Sequence, residues 1–191
     1  MPNVKYAKFD IPIDSRLQKY TQQLVNIIKN SKENDNTAFI AFRDQLFHDS
    51  FAFIRNELKT AEYPLITVDF VPTQTEYEML EQQSNFYVPQ KEKPKIPTLG
   101  FAITSNYENI ICVNLEPLLK LLEINVASFI FNLISTLVHE ILHCFFHSLK
   151  DEQETFNLQC EMLESFLGVT LPAEMKATKT TDFYIEKNDN L

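Results

Sequence analysis

The segment from Leu133 to Phe146 constrains the fold of this chain more than any other stretch. It is almost continuously apolar and is long enough for about four turns of helix. A helix that is apolar on most of its faces must be buried by the rest of the chain. The apolar run starts near Val126, but only about thirteen residues precede the first ionisable group, against roughly twenty for a membrane span. We therefore predict a buried core helix and no membrane span.

Residues 139–143 of this segment read His-Glu-Ile-Leu-His, which is an H-E-x-x-H motif. Residues four apart share a face of a helix, so the imidazoles of His139 and His143 can bind one metal ion. Glu140 lies about 100° round the helix, beside that ion, where its carboxylate can hold and deprotonate a water molecule. The motif predicts a catalytic Zn²⁺ ion with Glu140 as general base. The alternative is a core helix whose histidines are merely packed.

The motif supplies two ligands, whereas a catalytic zinc needs three protein ligands and an open position for water. His147 is the obvious third candidate in the sequence. It lies two turns from His139, about 12 Å along a straight helix, so one ion cannot bridge all three histidines. We expect His147 to support the ligands from behind or to lie at the surface.

The third ligand is expected on the next helix, packed antiparallel against the first. If the turn centres on residues 150–151, a residue opposite His143 falls roughly eight to ten positions beyond it, at Glu161. Glu154 is the alternative, and it requires the first helix to end soon after its last histidine. Either carboxylate could also be a solvated surface group.

Composition limits the partners and the compartment. The 191 residues carry a net charge of −9 and show no basic stripe, which argues against a nucleic-acid partner. The two glycines leave no room for a phosphate-cradling loop. The three cysteines, Cys112, Cys144 and Cys160, lie in apolar contexts without a C-x-x-C pair, which favours a reducing compartment. Residues 1–14 lack the apolar core of a signal peptide, so we expect a cytoplasmic protein.

The remaining patterns predict a single, helix-rich α+β domain over residues 1–191. Its expected parts are N-terminal helices in 1–60, strands and a loop in 61–115, metal-site helices in 116–170 and a polar tail in 178–191. Helical spacing predicts helices over 15–30, 37–59 (with a possible break at 49–50), 73–83, 114–122, 126–148 and 151–168. Alternating β-branched residues predict strands over 65–71, 99–104 and 109–113, the last two as a hairpin, and 88–98 is expected to be a loop.

The motif, with strands before it and an acid-bearing helix after it, resembles the zincin metallopeptidases whose third ligand is acidic (gluzincins). A closer resemblance is to the predicted metallopeptidase domain found beside von Willebrand-type domains in bacteria. The matching stretches are Ile-Ile-Cys-Val-Asn at 110–114, the motif itself, and Phe-Asn-Leu-Gln-Cys-Glu at 156–161, within a match over about 99–168. This chain departs from that pattern in having Glu161 where the family has aspartate. Its extra histidine also follows the motif by four residues rather than five.

The resemblance implies a zincin-like α+β fold, helix-rich, with a small mixed sheet or hairpin packed on the H-E-x-x-H helix. It implies one Zn²⁺ ion bound by His139, His143 and Glu161, with Glu140 activating water to hydrolyse peptide or amide bonds. The substrate would be a peptide or protein that pairs with an edge strand, here 99–104 or 109–113. A non-catalytic, metal-stabilised binding or regulatory module of the same fold is the second hypothesis. A helical interaction protein without metal is the third.

Overall fold

The computed structural model describes residues 10–32, 35–60, 64–83, 99–104, 108–146 and 152–178, with backbone alone at 152–154, 174, 177 and 178. Within these ranges the helices are α1 (Arg16–Asn30), α2 (Thr37–Leu58), α3 (Gln74–Gln83), α4 (Leu115–Ile124), α5 (Val126–Phe145), α6 (Glu152–Leu167) and α7 (Ala173–Thr178). The strands are β1 (Ile66–Val71), β2 (Gly100–Thr104) and β3 (Asn109–Asn114). The predicted helix-rich α+β class with a small mixed sheet is confirmed.

The described sheet has the strand order β1-β3-β2, with β3 in the centre. β2 and β3 pair antiparallel, with Gly100 opposite Val113, which confirms the predicted hairpin. β1 pairs parallel with β3 on its other side, with Ile66 opposite Asn109. Every residue of β3 except Ile110 is buried, as expected for a strand covered on both faces.

α5 is the centre of the molecule, as its sequence predicts. It packs against α1, α2, α4, α6, β2 and β3, and nearly all of its apolar side chains are fully buried. Asn125 caps its N-terminus by accepting a hydrogen bond from the Ser128 N–H at 3.0 Å. In the described part of the chain, α5 alone has the length and apolarity to cross a membrane. However, 83% of the most apolar 18-residue window of this helix is buried inside the protein.

Polar residues of α5, buried or half-buried, form two stripes with a spacing of four residues. Ser135, His139 and His143 form the stripe that faces α6, where a glutamine contacts the first two of them. Thr136 and Glu140 form the stripe that packs on β2. The helix therefore presents its imidazoles to one neighbour and its carboxylate to another.

Gly100 permits the close approach of α5 to β2. A Cβ at this position would lie 2.5 Å from Thr136 Cγ2, 3.3 Å from the Cys112 carbonyl oxygen and 3.4 Å from Glu140 Cγ. The first distance is shorter than carbon atoms tolerate, and Thr136 is β-branched and held by its hydroxyl, which donates to the Asn132 carbonyl at 2.8 Å. Glycine is therefore required here for packing.

Two elements differ from the prediction. α2 runs without a break through residues 49–50, because the Ser50 hydroxyl donates to the Leu46 carbonyl at 2.7 Å and is satisfied inside the helix. α7 was not predicted, since six residues are too few to show a helical period; its buried Met175 packs into the main core. The predicted loop at 88–98 and the tail beyond residue 178 lie outside the described residues.

Gly100→Ala is expected to lower the free energy of unfolding by about 1–3 kcal/mol, the usual cost of overpacking. Thr136→Ser removes the methyl group that the new Cβ meets but keeps the hydroxyl bond to Asn132. The cost of Gly100→Ala should therefore fall when it is introduced into the Thr136→Ser protein. Urea denaturation of the four proteins of this cycle measures the coupling. Equal costs in both backgrounds would contradict the packing argument.

Candidate functional site

The two motif histidines converge in the structure. His139 Nε2 and His143 Nε2 lie 3.1 Å apart, with the ring planes inclined at 79° and the ring centroids 4.7 Å apart. Two ligand nitrogens at about 2.0–2.1 Å from a tetrahedral zinc ion lie about 3.3 Å from each other. The observed separation is close to that value, and both side chains are half-buried, so the pair remains within reach of solvent. The imidazole pair fits a zinc ion.

Glu140 lies beside the pair and is almost fully buried, at 6% exposure. Burial raises the pKa of the Glu140 carboxyl to about 7, opposed by the charge of His143 and by a hydrogen bond from the backbone N–H of Ala102. The carboxylate is therefore held between the histidine-bearing face of α5 and strand β2, and His143 and Ala102 stabilise its ionised form.

The N–H of Ala102 points towards Glu140 because of the strand register. The Leu99 carbonyl accepts from the Asn114 N–H at 2.9 Å, so the backbone groups of Leu99 face β3. Alternate residues of a strand direct these groups to opposite sides, so those of Gly100, Ala102 and Thr104 point away from β3. β2 is the edge of the described sheet, and Glu140 accepts one of its outward N–H groups.

Gln159 on α6 contacts His139, a contact that was not predicted from the sequence. Its Oε1 lies 3.1 Å from His139 Nδ1, and its Nε2 donates to the Ser135 carbonyl at 3.0 Å and to the Ser135 hydroxyl at 2.9 Å. Its side chain is 1% exposed. Among the side chains of α6 that the structure describes, the amide of Gln159 is the group that contacts the candidate site.

The structure does not bring Glu161 to the histidines, which corrects the expected geometry of the third ligand. Glu161 is exposed. It lies two positions after Gln159, which is a rotation of about 200° round the helix, so it projects from the side of α6 away from His139. Among the described residues, no three histidine, cysteine, aspartate or glutamate side chains form a group that could hold a metal ion. His147 and the side chain of Glu154 lie outside the described residues.

The sequence places Gln159 on the apolar face of α6. The apolar side chains of α6 that are buried in the core define its inner face: Phe156, Cys160, Met162, Leu163, Phe166 and Leu167. Gln159 lies within this stripe, between Phe156 and Leu163. Glu161 lies outside it, on the opposite side of the helix. A polar residue inside an apolar stripe must find a buried partner, so the pattern predicts that Gln159 is buried but does not show which group it contacts.

The three thiols are free and buried, and they remain protonated at neutral pH. Burial raises the pKa of Cys112 to about 11, with the charges of Asp69 and Glu140 adding to it. Burial and then the Glu140 charge raise the pKa of Cys144 to about 12. Burial raises the pKa of Cys160 to about 11 against the opposing charge of Lys176. None of these thiols is activated as a nucleophile or as a thiolate ligand.

No protein-family model matches this chain, no curated protein matches its sequence and no solved structure matches its fold at a significant level. The resemblance to zincins and to the bacterial metallopeptidase domain therefore stays a prediction. The geometry of the candidate site is the basis on which a function can be proposed.

We expect the native protein to resist alkylation by iodoacetamide at about pH 8. The thiolate is the reactive form, and a thiol with a pKa of about 11 is ionised to roughly one part in a thousand at that pH. Raising the pH towards 11 should increase the labelling of Cys112, and denaturation in urea should expose all three cysteines at once. Mass spectrometry counts the labelled sites. Rapid labelling of the native protein at about pH 8 would contradict this burial.

Proposed function

We propose that this protein is a zinc-dependent hydrolase of peptide or amide bonds. The observation that supports the proposal most is the convergence of His139 Nε2 and His143 Nε2, 3.1 Å apart, next to the buried carboxyl group of Glu140. These three groups are the ones that the H-E-x-x-H motif requires for binding a metal ion and for general-base catalysis. The same contact can be an Nε2–H···Nε2 hydrogen bond in a pair that is merely packed, so zinc uptake is the measurement that separates the two interpretations.

His139 and His143 would hold the ion through Nε2, the imidazole atom that each presents to the other. A bound Zn²⁺ ion supplies Lewis acidity, which polarises a carbonyl group and lowers the pKa of a bound water towards about 7. The third ligand of such a site is not provided by the described residues. Glu154 remains the alternative to Glu161 for that position, and it follows the part of the chain that links α5 to α6.

Glu140 would act as the general base. It takes a proton from the attacking water while the water oxygen forms a bond to the substrate carbonyl carbon. It then returns this proton to the departing nitrogen as the C–N bond breaks, so that an acid and an amine are released. The hydrogen bond from the Ala102 N–H orients the carboxylate for these transfers.

A peptide substrate would bind along β2, the edge of the described sheet. The backbone groups of Gly100 and Thr104 point away from β3, as does the Ala102 carbonyl, and an extended peptide could pair with them. The Ala102 N–H already bonds to Glu140, so pairing there would place the substrate backbone beside the base. We propose a peptide or protein substrate on this basis, and a soluble, cytoplasmic setting on the basis of the sequence alone.

One observation favours the alternative of a non-catalytic, metal-stabilised binding module. Glu140 is almost fully buried and ties α5 to β2 through Ala102, which is also what a structural carboxylate would do. Both hypotheses predict metal binding, and they differ in the exchangeable water position that a catalytic site keeps open. Substitution of Glu140 by glutamine separates the two hypotheses.

We expect the protein to bind one Zn²⁺ ion per chain after dialysis against buffered zinc, and to lose it in His139→Ala and in His143→Ala. His48→Ala is the matched control, since His48 is an exposed histidine on α2. Glu161→Gln should keep the metal, because Glu161 projects away from the pair. Elemental analysis measures the ratio. A chain that takes up no zinc would remove the proposal, and metal loss in Glu161→Gln would contradict the orientation of α6.

Glu140→Gln should retain the metal and the melting temperature but lose hydrolysis by about 10²–10⁴-fold, the usual contribution of a general base. The amide oxygen of glutamine can still accept the hydrogen bond from Ala102, so the contact between α5 and β2 is kept. A peptide-library cleavage assay, checked with the zinc-loaded wild type, measures the loss. Undiminished cleavage by this variant would exclude Glu140 as the base, and absence of cleavage by both would favour the binding module.

A further inference from the structure

We propose that Gln159 is a positioning residue that holds His139 in a single tautomer, with the proton on Nδ1 and the lone pair of Nε2 directed at His143. The inference rests on the proposed function in one respect, namely that this lone pair is meant for a metal ion. The tautomer itself follows from hydrogen-bond chemistry that involves neither metal nor substrate.

The orientation of the Gln159 amide is determined by Ser135. One end of the amide lies 3.0 Å from the Ser135 carbonyl oxygen, which can only accept a hydrogen bond. That end must therefore be the NH₂ group, which also reaches the Ser135 hydroxyl at 2.9 Å. Both side chains are 1% exposed, so water does not compete for these groups. The other end of the amide, facing His139, must be the oxygen.

The amide oxygen in turn determines the tautomer of His139. It lies 3.1 Å from Nδ1 and can only accept, so Nδ1 must carry a proton. A neutral imidazole has one protonated nitrogen, which leaves Nε2 with its lone pair. This is the form that binds a metal through Nε2. The hydrogen bonds from Ser135 through Gln159 therefore leave His139 with Nε2 unprotonated, as a metal ligand requires.

The tautomer of His143 is determined differently. The 3.1 Å contact between the two Nε2 atoms needs one hydrogen if it is to be a hydrogen bond, and His139 has none to offer there. In protein freed of metal by a chelator, His143 must therefore donate from Nε2. On binding an ion through Nε2, His143 would lose this proton to solvent and take one from solvent at Nδ1, so that the ring stays neutral. Metal binding would thus change the tautomer of His143 but not that of His139.

Two substitutions of nearly equal size separate tautomer control from packing. Gln159→Glu and Gln159→Met both lose the donor to the Ser135 carbonyl. Glutamate keeps an acceptor for the Nδ1 proton, whereas methionine does not. Ser135→Ala is the control for the hydroxyl, since the backbone carbonyl that orients the amide is retained. A purely structural role for Gln159 would make the glutamate and methionine variants equivalent in their effect on His139.

The experiment is long-range ¹H–¹⁵N NMR of the imidazole nitrogens in chelator-treated full-length protein, at about pH 8.5, two units above the ordinary pKa of histidine. Signals are assigned with the His139→Ala and His143→Ala variants. We expect His139 as the Nδ1–H tautomer in the wild type, in Ser135→Ala and in Gln159→Glu, and a mixture of tautomers in Gln159→Met. We expect His143 as the Nε2–H tautomer before zinc is added and as Nδ1–H after saturation.

Zinc affinity, measured by competition with a chromophoric chelator, provides the second reading. Gln159→Met should weaken it by about 10–100-fold, the usual effect of losing such a partner, and Gln159→Glu by less. An Nε2–H tautomer for His139 in the wild type would overturn the inference, as would equal affinities in the two Gln159 variants. Should the wild type show the expected His139 tautomer but bind no zinc, the proposed function would fail while the assignment to Gln159 would stand.

Discussion

Satisfying the polar groups of a buried helix is the constraint on which the rest of this structure depends. α5 is covered by protein on almost every face, so a hydroxyl, imidazole or carboxyl group on it must find a partner inside the fold. Some partners are within the helix, as where the Thr136 hydroxyl donates to the Asn132 carbonyl. The groups of the candidate site instead use other elements, since Gln159 of α6 serves His139 and β2 serves Glu140. The hydrogen bonds that hold the groups of the candidate site are therefore the same bonds that join α5 to α6 and to β2.

This sharing makes the geometry of the candidate site depend on two separate contacts of α5. The contact with β2 depends on Gly100, because any side chain there would collide with Thr136 one turn before Glu140. The contact with α6 depends on Gln159, which reaches both the backbone and the side chain of Ser135. A change in the first contact moves the carboxyl group, and a change in the second moves an imidazole. The proposed activity requires both to be in place at once.

The two half-buried imidazoles and the fully buried thiols have different roles in this fold. His139 and His143 are partly open to solvent, which the proposed binding of an ion and a substrate requires. The three cysteines are enclosed and hold their protons, so they behave as small apolar side chains. Cys144 is on the same stripe as Glu140 and stays neutral beside it, which avoids a second negative charge at a site already costly to ionise.

The sequence by itself determined the relations that lie within one helix or hairpin. The turn of the α-helix places His139 and His143 on one face and Glu140 beside them, and β2 and β3 pair because a short connection joins two alternating strands. Only the tertiary structure decided that Gln159 and not Glu161 faces the histidines, and that Ala102 contacts Glu140. The physical reason is that a shift of two residues along α6 turns a side chain by about 200° round the helix. The sequence of the segment between α5 and α6 does not predict where α6 begins to within two residues, so it cannot predict which side chain of α6 faces α5.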